Sequence, residues 1–142
     1  MSFELQSLYN PLLMNRRNCL MTFLGAVTLT GHDVRAGARP IELHLDLEVD
    51  PLREKEMVDK YRDVFKPAIG TQPGCLDVRM LRLRQTLTGK GPGDLKYRLV
   101  ISFDSEENRR RWVATDEHQR VWPAISNTLR GSKFSATLYD EL

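Results

Sequence analysis

The sequence predicts one α+β domain with the element order β-α-β-β-α-β, preceded by an N-terminal extension of different character. Three observations predict it. The first is Ile41–Val49, where Ile41, Leu43, Leu45, Leu47 and Val49 alternate strictly with Glu42, His44, Asp46 and Glu48. A period of two means a strand with one apolar and one charged face. The second is a pair of extended stretches, Cys75–Leu87 and Leu95–Phe103, joined by a loop rich in glycine. The third is a helical spacing of apolar residues after the first strand and again after Phe103.

Asp50-Pro51 reads as an N-cap followed by proline in the first helical turn. Leu52, Met57, Val58, Tyr61, Val64, Phe65, Ala68 and Ile69 then recur at helical spacing, until Gln72-Pro73-Gly74 stops the helix. In Cys75–Leu87 the alternation slips at Met80-Leu81, which predicts a bulge there or a strand buried partly on both faces. Thr88-Gly89-Lys90-Gly91-Pro92-Gly93-Asp94 resembles a phosphate loop only in composition. It joins strand to strand and does not match G-x4-G-K-[ST], so it reads as a plain hairpin loop.

Leu95–Phe103 sends Tyr97, Leu99, Ile101 and Phe103 to one face and Lys96, Arg98, Val100 and Ser102 to the other. Ser105 can cap a helix with acids in its first turn and Arg109-Arg110-Arg111 later, an order that suits the helix dipole. Thr115 restarts a helix through His118, Val121, Trp122, Ile125 and Leu129, bent at Pro123. Lys133–Tyr139 alternates again and closes a four-stranded antiparallel sheet. The order is a ferredoxin-like split βαβ.

Several classes are excluded by composition. The 142 residues suit one domain, and 41% hydrophobic with 28% charged residues is ordinary for a globular chain. A net charge of +2 leaves no nucleic-acid footprint. No apolar run reaches the roughly 18–20 residues of a spanning helix, so no stable membrane insertion is expected. Cys19 and Cys75 form no disulfide framework and no metal-ligand spacing.

Residues 1–40 read as a separate segment, leaving 41–142 as the folded domain. Arg16-Arg17 precedes the mildly apolar run Leu20–Leu29, and Ala36-Gly37-Ala38 ends it. A charged region, a short apolar region and a small-x-small end are the parts of an export signal. The paired arginines resemble the twin-arginine type, with Asn15 and Cys19 departing from its usual residues. An exported, periplasmic protein follows from this reading. A cytoplasmic protein with an N-terminal helix or extension is the alternative.

Pro73-Gly74-Cys75-Leu76, together with Phe103-Asp104-Ser105 leading into Trp112-x-x-Thr115-Asp116-Glu117-His118, resembles the antibiotic-biosynthesis monooxygenase (ABM) domain of the dimeric α+β barrel superfamily. The resemblance covers about residues 41–140. It implies a homodimer in which the sheet face turned away from the helices joins a partner's sheet around a small-molecule pocket. Glu42, His44, Asp46, Glu48, Arg98 and Ser102 would then face the pocket.

The resemblance also implies two chemistries. In its haem-degrading branch an axial histidine follows the Trp112 position, and here Trp122 stands in that place, so haem degradation is not expected. In the cofactor-free oxygenases an acidic phenol or anthrone is deprotonated and its anion reacts with oxygen. For that chemistry His44 is the candidate base and Arg98 the anion partner, the two catalytic candidates. Asp46, Trp112, Trp122, His118, Tyr97 and Tyr139 are the candidate substrate contacts. The resemblance to these oxygenases implies no cofactor, and no metal is expected, because carboxylates and imidazole at i, i+2 along one strand sit about 7 Å apart. The rival reading is a barrel without catalysis, which binds a small molecule or only dimerises, its charged face being a lattice of ion pairs.

Overall fold

In a computed structural model, residues 39–142 are described; Arg16, Arg17 and Cys19, and with them nearly all of the expected export signal, lie outside the described residues. Four strands form one antiparallel sheet in the order β2-β3-β1-β4. They are β1 (Ile41–Val49), β2 (Cys75–Arg82), β3 (Tyr97–Phe103) and β4 (Leu129–Asp140). The helices all follow from the split βαβ order: α1 (51–70), α2 (Glu106–Val113) and α3 (Asp116–Ser126). Among the described residues no helix is long and apolar enough to cross a membrane.

The capping residues do what their chemistry suggests. Asp50 accepts from the Leu52 N–H at 2.9 Å, Ser105 from Asn108 N–H at 3.3 Å, and Thr115 from His118 N–H at 3.1 Å. The α1 segment is not uniform. It opens as a tight turn at Pro51–Arg53, is α-helical over Glu54–Lys60, widens to a π-turn at Tyr61–Phe65, and ends in Lys66–Gly70. The π-turn adds a residue to the helix circumference. Met57, Phe65 and Ile69 thereby point into the core, while Leu52 and Val58, part of the expected apolar stripe, stay exposed.

The core lies between the sheet and this helix layer. Leu45 and Leu47 of β1, Tyr97, Leu99, Ile101 and Phe103 of β3, and Trp112, Val121 and Ile125 of the later helices are all buried there. The two sequence motifs meet in one knot at its edge. The Gly74 carbonyl accepts from the Asp104 N–H at 2.9 Å, and Asp104 Oδ1 accepts from both Ser105 Oγ and Asn108 Nδ2. Gly74 has φ +77°, and a Cβ there would lie 2.4 Å from Asn108 Nδ2 and Asp104 Oδ1, so the position requires glycine.

Four boundaries differ from the sequence reading. β2 ends at Arg82 rather than Leu87, since past Leu83, which bonds the Lys96 carbonyl, the chain leaves the ladder. β3 begins at Tyr97, not Leu95, because 92–96 is a turn with its own hydrogen bonds. The irregularity in β2 falls between Cys75 and Asp77, next to the Gly74 knot, instead of at Met80-Leu81. Leu129 starts β4 rather than ending α3: it pairs with Val49, and the strand reaches Phe134 opposite Leu47 through a bulge that contains Gly131 and Ser132, both at positive φ.

Candidate functional site

The alternation of β1 sends Leu45 and Leu47 to the helices and Glu42, His44, Asp46 and Glu48 to the other face, which no helix among the described residues covers. Register then fixes their neighbours. His44 lies between Val100 and Thr137, Asp46 between Arg98 and Ser135, and Glu42 between Ser102 and Tyr139. From the far strand Arg79 comes opposite Val100 and Asp77 opposite Ser102.

Glu42 is the hub of this face. Its Oε2 lies 3.0 Å from His44 Nε2, and its Oε1 accepts from Arg79 Nη2 at 3.1 Å and Ser102 Oγ at 3.3 Å. The hydrogen bond from His44 holds the Glu42 carboxyl below its ordinary value against the opposing effect of burial, with Ser102 and Arg79 adding lesser contributions in the same downward direction. A carboxylate only accepts, so Nε2 carries the proton in this pair. His44 is 19% exposed, its ring sits 4.6 Å from that of Tyr139 at a tilt of 49°, and its Nδ1 is buried with no hydrogen-bond partner among the described residues. A buried polar atom left without a partner is unfavourable by about 1–3 kcal/mol, which marks this nitrogen as one that wants a partner.

The other charges pair among themselves. Arg98 grips Asp46 with two bonds, Nε–Oδ1 at 2.6 Å and Nη2–Oδ2 at 2.9 Å. Arg79 Nε lies 2.6 Å from Asp77, and Glu48 faces Arg130 and Lys133 at 4.0 and 3.9 Å. The carboxylate beside His44 is therefore Glu42, not Asp46 two residues further on. The sequence points to Asp46 as the carboxylate near His44, but Arg98 holds both Asp46 oxygens and Glu42, equally two positions away, makes the bond. Arg79 was not foreseen, although its place in an alternating strand beside β3 is the signal that would have found it.

The remaining candidates are on the opposite side of the sheet. Trp112 is buried among the helices with its ring 6.4 Å from Phe65, edge-on. His118 meets Trp112 edge-on at 5.3 Å and lies nearly parallel to Trp122 at 6.4 Å; burial pushes its imidazole below the ordinary value. Trp122 continues this cluster to Phe65 and Phe134. Tyr97 points into the core and donates its hydroxyl to Glu54. The sheet thus separates Trp112, Trp122, His118 and Tyr97 from His44, Asp46, Arg98 and Tyr139. A single slot walled by the tryptophans and reached by His44 does not form within one chain. The reason is parity: Tyr97 is one residue from Arg98, and the helices carrying the tryptophans cover only the apolar face. A shallow recess lined by Glu48, Glu54, Lys96 and Arg130 lies further along, four residues from His44 on β1.

This arrangement defines a class: a ferredoxin-like α+β protein with a helix-covered face and an open, charged face. Solved structures share it. A protein from Caulobacter crescentus assigned to the antibiotic biosynthesis monooxygenases matches at 18% identity and TM-score 0.61, over 78% of this chain and 97% of that one. A dimeric ferredoxin-like protein of unknown function from Jannaschia matches at 12% identity and TM-score 0.60, over 70% and 96%. SnoaB, a cofactor-independent oxygenase from Streptomyces nogalater, matches at 15% identity and TM-score 0.54, over 72% and 92%. At these identities the likeness is one of fold. No family model matches the sequence, and no curated protein matches it.

Proposed function

We propose that the protein acts as a homodimer whose charged sheet faces enclose a small-molecule site, and that His44, oriented by Glu42, is the base of a cofactor-independent oxygenation. The observation that carries this reading is the Glu42–His44 pair with its unpartnered Nδ1. A carboxylate that fixes the proton on one imidazole nitrogen leaves the other as the base. Its substrate class is an acidic polycyclic phenol or anthrone. His44 takes the proton, the carbanion so formed gives its electrons to dioxygen, and the hydroperoxide that results loses water to leave a carbonyl. The balance is one CH2 group and one O2 giving one C=O and one water. Tyr139, at the edge of the sheet and 48% exposed, has room to swing aside and admit a planar ring beside His44. The fold shared with a cofactor-independent oxygenase supports the same reading.

A second reading is favoured by the Asp46–Arg98 pair. Arg98, the expected anion partner, already has both donors on a carboxylate, as a lattice of ion pairs in a non-catalytic dimer would require. One experiment separates the two. Oxygen uptake with an anthrone probe is measured alongside the melting temperature for wild type, His44→Ala and His44→Gln. A base contributes about 10²–10⁴-fold, so both variants should lose turnover by that factor while the dimer still folds. Full turnover in both removes His44 from the chemistry. A fall in melting temperature with no oxygen uptake even in the wild type establishes the lattice.

A further inference from the structure

The loop that joins β2 to β3 is long for a hairpin connection, and it is built as a projection. The last bond of the ladder runs from the Leu83 N–H to the Lys96 carbonyl at 2.7 Å, so residues 84–95 lie beyond the sheet. Within the loop Thr86 closes on Gly91: a Cβ on the glycine would lie 2.5 Å from Thr86 Oγ1. That contact pinches the loop and leaves Leu87-Thr88-Gly89-Lys90 as its tip. At the base, the Leu95 N–H bonds the Pro92 carbonyl at 3.2 Å and the Lys96 N–H bonds the Asp94 carbonyl at 2.9 Å. The tip is therefore held out on a stem with its own bonds.

Leu87 is 85% exposed on this tip. A lone surface leucine is ordinary, but this one stands among cations. From Arg82 to Lys96 the chain carries Arg82, Arg84, Lys90 and Lys96 against a single acid, Asp94. Arg84, Lys90 and Lys96 are exposed and make no ion pair among the described residues. Arg53, Arg62, Arg79 and Arg98, by contrast, each meet a carboxylate at 2.8 Å or closer. A second bare leucine, Leu52, is 95% exposed at the same end of the sheet, since its neighbour Pro51 lines one recess with Asp94 and Lys96.

We propose that the β2–β3 loop, with Leu87 at its point, docks the domain on the surface of an anionic lipid bilayer. Unpaired lysine and arginine are drawn to a negatively charged membrane within about a Debye length of it. Their apolar stems lie along the boundary while the charged ends stay in water. Leu87 removes its side chain from water by entering the edge of the acyl region. Peripheral binding takes two signals, charge and an apolar anchor, and the tip carries both. The pinch at Gly91 holds the tip in shape beforehand, so little freedom is lost on docking. A nucleic acid would use the same cations but offers nothing to an exposed leucine, which is why the lipid surface is the better fit. The inference goes beyond the oxygenase reading and needs none of its chemistry.

The test is flotation of the full chain with two kinds of vesicle, phosphatidylcholine alone and phosphatidylcholine with an equal part of phosphatidylglycerol. Wild type should float with the anionic vesicles, stay behind with the neutral ones, and be released from the anionic ones at about 1 M salt. Arg84→Gln together with Lys90→Gln should weaken binding about tenfold or more. Leu87→Ser should weaken it by about tenfold without changing the net charge. Arg110→Gln together with Arg111→Gln, on the exposed side of α2, lowers the net charge equally and should float as wild type does. All these positions are exposed, and the melting temperature of each variant checks that it folds. Wild type that floats with neither vesicle, or with both alike, overturns the proposal. So does undiminished flotation of the Leu87→Ser and Arg84/Lys90 variants, which moves the binding off this loop. Equal losses in the α2 pair would reduce the effect to net charge and overturn it too. Retention of a DNA duplex without vesicle binding would assign the cations to nucleic acid instead. The oxygen-uptake experiment is independent of every one of these outcomes.

Discussion

Arg98 holds Asp46 through two parallel hydrogen bonds, at 2.6 and 2.9 Å, across neighbouring strands that the register places directly opposite. This is the fork geometry in which a guanidinium binds a carboxylate best. Arg98 is nevertheless partly exposed, and water screens the pair. The coupling between Asp46→Ala and Arg98→Ala in a double-mutant cycle should therefore be about 0.5–1 kcal/mol. It should shrink at about 1 M salt. A coupling that is zero, or that salt does not change, would show that the pair has no part in holding the charged face together.

His118 makes stability depend on pH with a definite sign. Burial lowers its folded-state value below the ordinary 6.5. Well above 6.5 the imidazole is neutral whether the chain is folded or not, and the packing on Trp112 and Trp122 is fully in force. As pH falls through 6.5 the unfolded chain takes up the proton first, so stability declines until the folded imidazole is protonated too. Melting temperatures from about pH 8 to about pH 5 should fall more for wild type than for His118→Phe. Parallel curves for the two proteins would refute this.

Gly74→Ala should be severely destabilising. It combines a positive φ with a Cβ driven into Asn108 and Asp104, and it disturbs the hydrogen bonds that tie β2 to the start of α2. A loss of at least about 2 kcal/mol is expected in urea unfolding. Gly70→Ala is the matched control, because a Cβ there meets nothing within 4 Å. It should be neutral or stabilising by up to about 1 kcal/mol. Similar losses at both positions would place the effect in general helix-end strain and not in the Gly74 knot.

We propose that the N-terminal segment directs export by a twin-arginine route. The supporting residues are Arg16-Arg17, the apolar run after them and Ala36-Gly37-Ala38. Arg16→Lys together with Arg17→Lys should retain the precursor in the cytoplasm, as judged by fractionation. Unchanged export of the double variant, or an exported protein that still begins at Met1, would refute the reading.

The sequence by itself determined the topology. The strict alternation of Ile41–Val49, the caps Asp50, Ser105 and Thr115, and the stop at Gln72-Pro73-Gly74 are local signals, and local backbone chemistry answers to them. They were enough to place β1 beside β3 and to turn His44 and Asp46 away from the core. What they could not decide depended on contacts between residues far apart in the chain. Which of the carboxylates bonds His44 was set by register and by the reach of Arg98, 52 positions from Asp46. That Trp112, Trp122 and His118 gather with Phe65 on the other side of the sheet was set by which face the helices cover. The early end of β2 was settled past Leu83, where its partner strand gives way to the turn at 92–96, and the long run of β4 by the bulge at Gly131-Ser132, where the chain had to change register to stay paired with β1. Alternation tells which way a side chain points, because it follows from the pleat of a single strand. Only the packed sheet and helices decide what stands in front of it.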